Sequence, residues 1–394
     1  LAESVIGLRQ GNPRLADVEM EGSGGLRPGH AFCEGWVDVN KQRIPQADVQ
    51  QALLGRIIEY LSSKPLPRLW YLPGQARSLL VVTGDGEDLE AWSRIENFNQ
   101  EIEAVEKFKG HITFYLMEEP KVTPEDAGSW LARGHDLGIH PSPSTHLCTM
   151  DQKVKQHVAE FLERFKRMPR TVRNHGLHWL GYVEQAKVWG RHGLRMDLNF
   201  VSTIKGEGAY MTGSGLPMKF VDEHGEIIDV WQQPTQFEDD VLFKKQFFGL
   251  TLDEATALST EMIERSMQAF HSPIVINVHP HIFVSNPTYL QTTGYDWTEA
   301  SHNWTIRTLA FAADKGIPIW SADMWLDFTE ARYTVEVKDI LYQNGRLTFY
   351  LDGNYRGHGL SLMFPQRHKG KILSSIRQGG DQRQLILINI RGRE

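Results

Sequence analysis

Leu79-Leu80-Val81-Val82-Thr83-Gly84-Asp85-Gly86-Glu87-Asp88 is the stretch from which the rest of this 394-residue chain is read. Four aliphatic residues in succession form a short apolar run, the pattern of a strand buried on both faces, and the carboxylates begin where the run ends. Outward from it, short apolar runs alternate with amphipathic stretches: a helical pattern at 91–108, a strand at 112–116 and a segment ending at 132. Runs at 154–165, 182–189, 255–270, 274–278 and 317–320 continue the alternation. Strands that take turns with helices predict an α/β architecture on a parallel sheet, here a distorted or incomplete (β/α) barrel.

The flanks read differently. Residues 1–75 contain one amphipathic helix at 47–61, with Val49, Leu53, Leu54, Ile57, Ile58 and Leu61 at helical spacing, between a glycine-rich turn at 22–25 and a proline-punctuated stretch at 64–73. They read as the end of another α/β unit plus a linker. The barrel is expected over 76–330. After it, alternating runs at 333–337, 346–351, 359–364, 371–376 and 385–390 predict a small β-sandwich-like module over 331–394, a packing or lid domain or a glycan-binding one.

Composition narrows the function classes. Hydrophobic residues make up 41% and charged residues 23%, and no apolar run reaches the roughly 18 residues of a membrane span. The mean hydropathy of −0.38 is that of an ordinary globular chain. A net charge of −7 gives no electrostatic argument for nucleic acid as a partner. Cys33 and Cys148 cannot build a disulfide scaffold, and they leave the redox compartment open, as does the single sequon at Asn303. Starting at Leu1 without an initiator methionine or a signal sequence, the chain reads as a processed or excised piece of a longer protein.

Chemistry-bearing residues collect at the ends of the expected strands, where the loops of an α/β barrel build active sites. Asp85, Glu87 and Asp88 crowd three carboxylates into four residues, which suits a cation site or a general base unless solvent alone neutralises them. Sixteen histidines are more than the average share. His140 and His146 lie on a loop stiffened by Pro141 and Pro143, and neutral imidazoles so held are the usual ligands of zinc. His135, just before the strand-like 137–139, reads as a structural hydrogen-bonding residue. Arg173 precedes His175 and His178, and the run 274–278 leads into His279-Pro280-His281. An arginine keeps a neighbouring carboxylate ionised and a histidine can protonate a leaving group, while His175 and His178 read either as ligands or as satisfied hydrogen-bonding residues.

In this order the clusters resemble the polysaccharide deacetylases of the NodB-homology type, carbohydrate esterase family 4, over about residues 78–325. Thr83-Gly84-Asp85 resembles the family's Thr-Phe-Asp-Asp motif in place. Ile112-Thr113-Phe114-Tyr115, a helix and then Gly134-His135-Asp136-Leu137-Gly138-Ile139-His140 resemble the Ala-Thr-Phe-Phe strand and the Gly-His-Glu-Ile-Gly-Asn-His segment. Arg173, the segment 182–189 and the strand 193–198 resemble the third and fourth motifs, and Val278-His279 the Leu-x-His of the fifth.

The resemblance implies that Asp85 is the catalytic base, Arg173 the residue that orients it and His279 the general acid, with Asp197 holding Arg173. It implies a divalent metal, zinc by ligand type with nickel or cobalt as alternatives, held by Asp88, His140 and His146. Gly86 stands where the family has its metal-binding Asp, which passes that role to Asp88 or Glu87, and Ser144 stands where the second His belongs, which passes it to His146. The implied function is a metal-dependent hydrolase that removes acetyl groups from a polysaccharide or a related acylated sugar, with a carbohydrate or acylated small molecule as substrate. The second reading is a non-catalytic glycan-binding protein on an inactive deacetylase barrel.

Overall fold

The computed structural model describes residues 2–13, 27–32, 38, 41–86, 94–201, 210–283, 297–353, 357, 359–378 and 381–383. A short strand β1 (Arg68–Leu69) precedes a mixed sheet of ten strands. These are β2 (Leu79–Gly86), β3 (Ile112–Leu116), β4 (Asp136–Ile139), β5 (Thr171–Val172), β6 (Met196–Asp197), β7 (Met218–Val221), β8 (Ile227–Gln232), β9 (Phe237–Glu238), β10 (Pro273–Val278) and β11 (Ile319–Trp320). Their spatial order is β7-β8-β6-β5-β4-β3-β2-β10-β9, with β11 beside the first half of β2. Every pairing is parallel except that of β7 with β8, an antiparallel hairpin the sequence reading did not resolve.

The sheet curls until its two ends meet. Beyond β6, the Thr235 N–H donates to the carbonyl of Phe200 at 2.9 Å, and the Gln236 N–H donates to that of Val275 on β10 at 3.0 Å. The segment between β8 and β9 therefore bridges the strand on either side of the gap, and the expected incomplete α/β barrel is borne out.

Side-chain alternation sorts the strands into two cores, because successive residues point to opposite faces. Leu80, Val82, Ile112, Phe114, Leu116, Leu137, Ile139, Val172, Ile274 and Ile276 pack outward among the helices. Leu79, Val81, Tyr115, Met196, Leu198 and Val275 pack inward. The helix Ala322–Thr334 plugs the N-terminal end of the barrel with Trp325, Leu326 and Phe328 from the same inner cluster. Asp323 of that helix accepts from Thr171 Oγ1 at 3.1 Å. Gly138 on β4 faces inward without a side chain, since a Cβ there would lie 2.5 Å from the ring of Tyr115.

The flanking segments are tied to the barrel. Arg9, on the helix Ala2–Gln10, is buried and donates to the Gln232 side chain at 3.0 Å and to its carbonyl at 2.9 Å. The amphipathic helix lies at Gln46–Leu61, as its spacing predicts. At the other end, the strand expected at 333–337 begins later, at Glu336, because Tyr333 still belongs to the plugging helix. The hairpin Glu336–Gln343 with Arg346–Asp352 follows, and β1 pairs with Leu362–Met363. The run at 385–390 lies outside the described residues. Among the described residues, no helix is long and apolar enough to cross a membrane.

The two-sided burial of the central strands yields a stability prediction. Ile276→Ala, in the outer core, should lower the unfolding free energy by about 2–5 kcal/mol, whereas Ile227→Ala, exposed at the start of β8, should change it by no more than about 0.5 kcal/mol. Urea unfolding of the two variants checks the contrast.

Candidate active site

The inward-facing series turn polar as the strands approach their C-terminal ends. On β2 the inward residues run Leu79, Val81, Thr83, Asp85; on β10 they run Val275, Asn277 and then His279 just past the strand end. His140 follows β4 and Arg173 follows β5, each in inward register. Four strands thus deliver Asp85, His140, Arg173 and His279 to one mouth, and all four side chains are buried.

Arg173 is the best-bonded side chain of the group. Its Nη1 donates to Thr83 Oγ1 at 2.8 Å and to Asp85 Oδ1 at 3.3 Å, its Nη2 to Thr235 Oγ1 at 2.8 Å, and its Nε to the carbonyl of Leu198 at 3.3 Å. The guanidinium also lies over the ring of Tyr115. The other oxygen of Asp85 accepts from Asn277 Nδ2 at 2.8 Å. A buried carboxylate held by a guanidinium and an amide is oriented from both sides.

His279 has a partner of its own. Its Nδ1–H donates to Asp239 Oδ1 at 2.6 Å, and its backbone N–H donates to Asp239 Oδ2 at 3.0 Å. Burial would raise the pKa of Asp239, but the facing charge of His279 and its two hydrogen bonds outweigh it and hold Asp239 below the usual range. Asp239 thereby fixes the imidazole with its Nε2 as the exchangeable position.

His140 Nδ1–H donates to the carbonyl of Arg173 at 2.8 Å and lies 3.9 Å from Asp85 Oδ1, and its ring meets that of His175 with centroids 5.4 Å apart. His146 does not join it: it is exposed, at the N-cap of the helix Leu147–Phe165. Ser144 Oγ donates to the carbonyl of His146 at 3.2 Å. Asp88 and Glu87 lie outside the described residues. A different trio is drawn together instead, with one donor atom each of Asp85, Glu238 and His279 within 4.8 Å of one another, an arrangement that a cation or a shared proton can bridge.

Two assignments around the site need comment. His135 is structural as expected: its Nδ1 accepts from the Ile112 N–H at 3.2 Å and its Nε2 meets Glu106 at 3.1 Å. Asp197, expected to hold Arg173, does not. It faces away from the mouth, where it accepts from Trp189 Nε1 at 3.0 Å and from Asn199, and Thr83, Thr235 and the Leu198 carbonyl take its place around the guanidinium. The sequence reading also missed Asn277, Glu238, Asp239, Thr235 and Glu101. Of these, Asn277 carried a signal, since it stands two residues before His279 and so shares its face. The others reach the mouth through the sheet closure at 235–239 and a neighbouring helix, which no local pattern announces.

No protein-family model and no curated protein matches the chain. Among solved structures, a candidate polysaccharide deacetylase from Mycobacterium smegmatis superposes with a TM-score of 0.50 at 13% identity, over 69% of this chain and 96% of that one. The chain has the polysaccharide deacetylase fold. The chitin deacetylase of Colletotrichum lindemuthianum is a further match, with a TM-score of 0.38 at 11% identity over 63% of this chain and 87% of its own. A carbohydrate esterase family 4 pseudoenzyme from Bacillus anthracis is another, with a TM-score of 0.37 at 12% identity over 68% and 71%. In the deacetylase fold of this chain, the C-terminal mouth of the barrel carries the polar cluster described above.

Burial raises the pKa of Asp197 to about 7. With the folded value above the unfolded one, the folded state binds the extra proton, so this group's contribution to stability should fall as pH rises from about 4 to 7 and then level off. Asp197→Asn should flatten that decline when unfolding free energy is measured against pH.

Proposed function

We propose that the chain is a hydrolase of the polysaccharide deacetylase type, removing acetyl groups from a polysaccharide or a related acylated sugar at the mouth of the barrel. The observation that carries this reading is the pairing of Asp85 with His279, each held by a dedicated partner: Arg173 and Asn277 for the carboxylate, Asp239 for the imidazole. Asp85 accepts a proton from the attacking water as it adds to the acyl carbon. His279 donates a proton from Nε2 to the leaving amine or alcohol as the C–N or C–O bond breaks, and acetate departs. Arg173 holds the base in its ionised, aimed form.

Of Asp88, His140 and His146, the residues expected to hold a divalent cation (zinc by donor type, with nickel or cobalt as alternatives), His140 is the one proposed here as a ligand, because Asp88 lies outside the described residues and His146 is exposed at a helix N-cap. His140 fits this role, because its Nδ1–H bond to the Arg173 carbonyl fixes the tautomer and leaves Nε2 as the acceptor nitrogen. When bound, a cation there supplies Lewis-acid polarisation of a carbonyl and a water of lowered pKa. A second reading, a glycan-binding protein on an inactive barrel, is favoured by Gly86 and Ser144, which stand where the family carries a carboxylate and an imidazole.

Acetate release from acetylated chitin oligosaccharides tests the first reading. Asp85→Asn and His279→Ala should each lower kcat by roughly 10²–10⁴-fold, the range of general acid–base catalysis, and full turnover in either would reject the assigned roles. Elemental analysis should find about one equivalent of a transition metal, lost in His140→Ala. Glycan binding with no acetate release and no metal would establish the second reading instead.

A further inference from the structure

Glu238 has no role in the chemistry above, yet it ends β9 inside the mouth and is 7% exposed. One of its oxygens lies within 4.8 Å of a donor atom of Asp85 and of His279. The Asn277 amide donates to Asp85 Oδ2 at 2.8 Å and, more weakly, to Glu238 Oε1 at 3.3 Å, so one amide serves both carboxyl groups. Glu238 Oε2 is buried and has no hydrogen-bond partner among the described residues.

We infer that Glu238 works in this site as a neutral carboxylic acid, whose Oε2–H is a hydrogen-bond donor for the carbonyl oxygen of the substrate's acyl group. The identity of that substrate atom rests on the hydrolase reading; the placement of the proton rests on the shared Asn277 amide and the unpartnered Oε2.

Two carboxyl groups that share a buried site do not both ionise, and the proton goes to the one with the weaker support. Among the described residues, Asp85 has a guanidinium and an amide in direct contact, while Glu238 has the long arm of the amide alone. The charges facing Glu238 are Asp85 from β2, Asp240 from the segment after β9, His279 from beyond β10 and Arg173 from beyond β5. Burial, reinforced by Asp240 and Asp85, raises its pKa to about 8, and His279 and Arg173 oppose that only in part. Near pH 7 the group is then a donor whose Oε2 has no acceptor among the described residues. A second buried acid, Glu101 on the helix Ile95–Glu106, lies near the cluster with its pKa pushed well up by burial and by Asp239.

Infrared difference spectroscopy of the full chain across pH 6–10, in wild type, Glu238→Gln, Glu238→Ala and Glu101→Gln, reads the proton directly, since only a protonated carboxyl shows the acid carbonyl stretch. The expected result is an acid band at pH 7 that disappears with a midpoint near pH 8, is missing in Glu238→Gln and persists in Glu101→Gln. Hydrolysis of acetylated chitin oligosaccharides supplies the second readout. Glu238→Gln keeps a neutral donor, so its kcat at pH 7 should stay within about 3-fold of wild type and should not share the roughly 10-fold fall of wild type between pH 7 and pH 9. Glu238→Ala should lose about 10²-fold in kcat with KM little changed. Absence of a Glu238 acid band at pH 7, a 10²-fold loss in Glu238→Gln, or loss of bound cation in that variant would overturn the inference, because each means that the ionised form is the one in use. If no form releases acetate, the hydrolase reading and with it the donor role fail, while the infrared result still decides the protonation.

Discussion

A guanidinium buried in a barrel must find acceptors or the fold carries a large desolvation cost, and Arg173 finds them by drawing three other chain segments around one point. It bonds Thr83 and Asp85 on β2, the Leu198 carbonyl beyond β6 and Thr235 in the stretch that closes the sheet. The same bonds that satisfy the arginine fix the carboxylate beside it. Closure of the barrel and orientation of Asp85 are therefore one constraint. Asn277 completes it from β10, on the far side of β2 from β5.

Inside the barrel, Asp323 and Thr171 meet, and Leu79, Val81, Val275 and Trp325 form the inner apolar cluster. Tyr115 of the same cluster presents its ring to Arg173, and the acids and imidazoles of the mouth follow. Placing the charges at one end also lets Asp85 reinforce the upward shift of Glu238 and lets His279 hold Asp239 below the usual range.

Much of this was legible in the chain order. Short, mostly apolar runs such as 79–82, 112–116 and 274–278, too short for helices of their own, fit strands covered on both faces, and the alternation with helices left few topologies. Asp85, His140 and His279 were readable because each lies at or just past the end of a short strand-like run, and Arg173 because of its place in the order of the clusters. The partners that make them work were not readable. Asp239 reaches His279 across 40 residues and Thr235 reaches Arg173 across 62, through a closure that depends on how far the sheet curls. Asp197 misled for a related reason: a strand only two residues long gives too little alternation to say which face a side chain takes.

The dependence of the mouth on one buried ion pair is tested most directly by a double-mutant cycle on unfolding free energy with Arg173→Met, Asp85→Asn and the two combined. Each single change leaves a buried group without its counterpart and should cost about 3–5 kcal/mol, and the double variant should be more stable than the sum of the two predicts, with a coupling of roughly 2 kcal/mol. Additive losses would mean that Arg173 and Asp85 stabilise the barrel independently, and would contradict the claim that closure and carboxylate orientation are a single interaction.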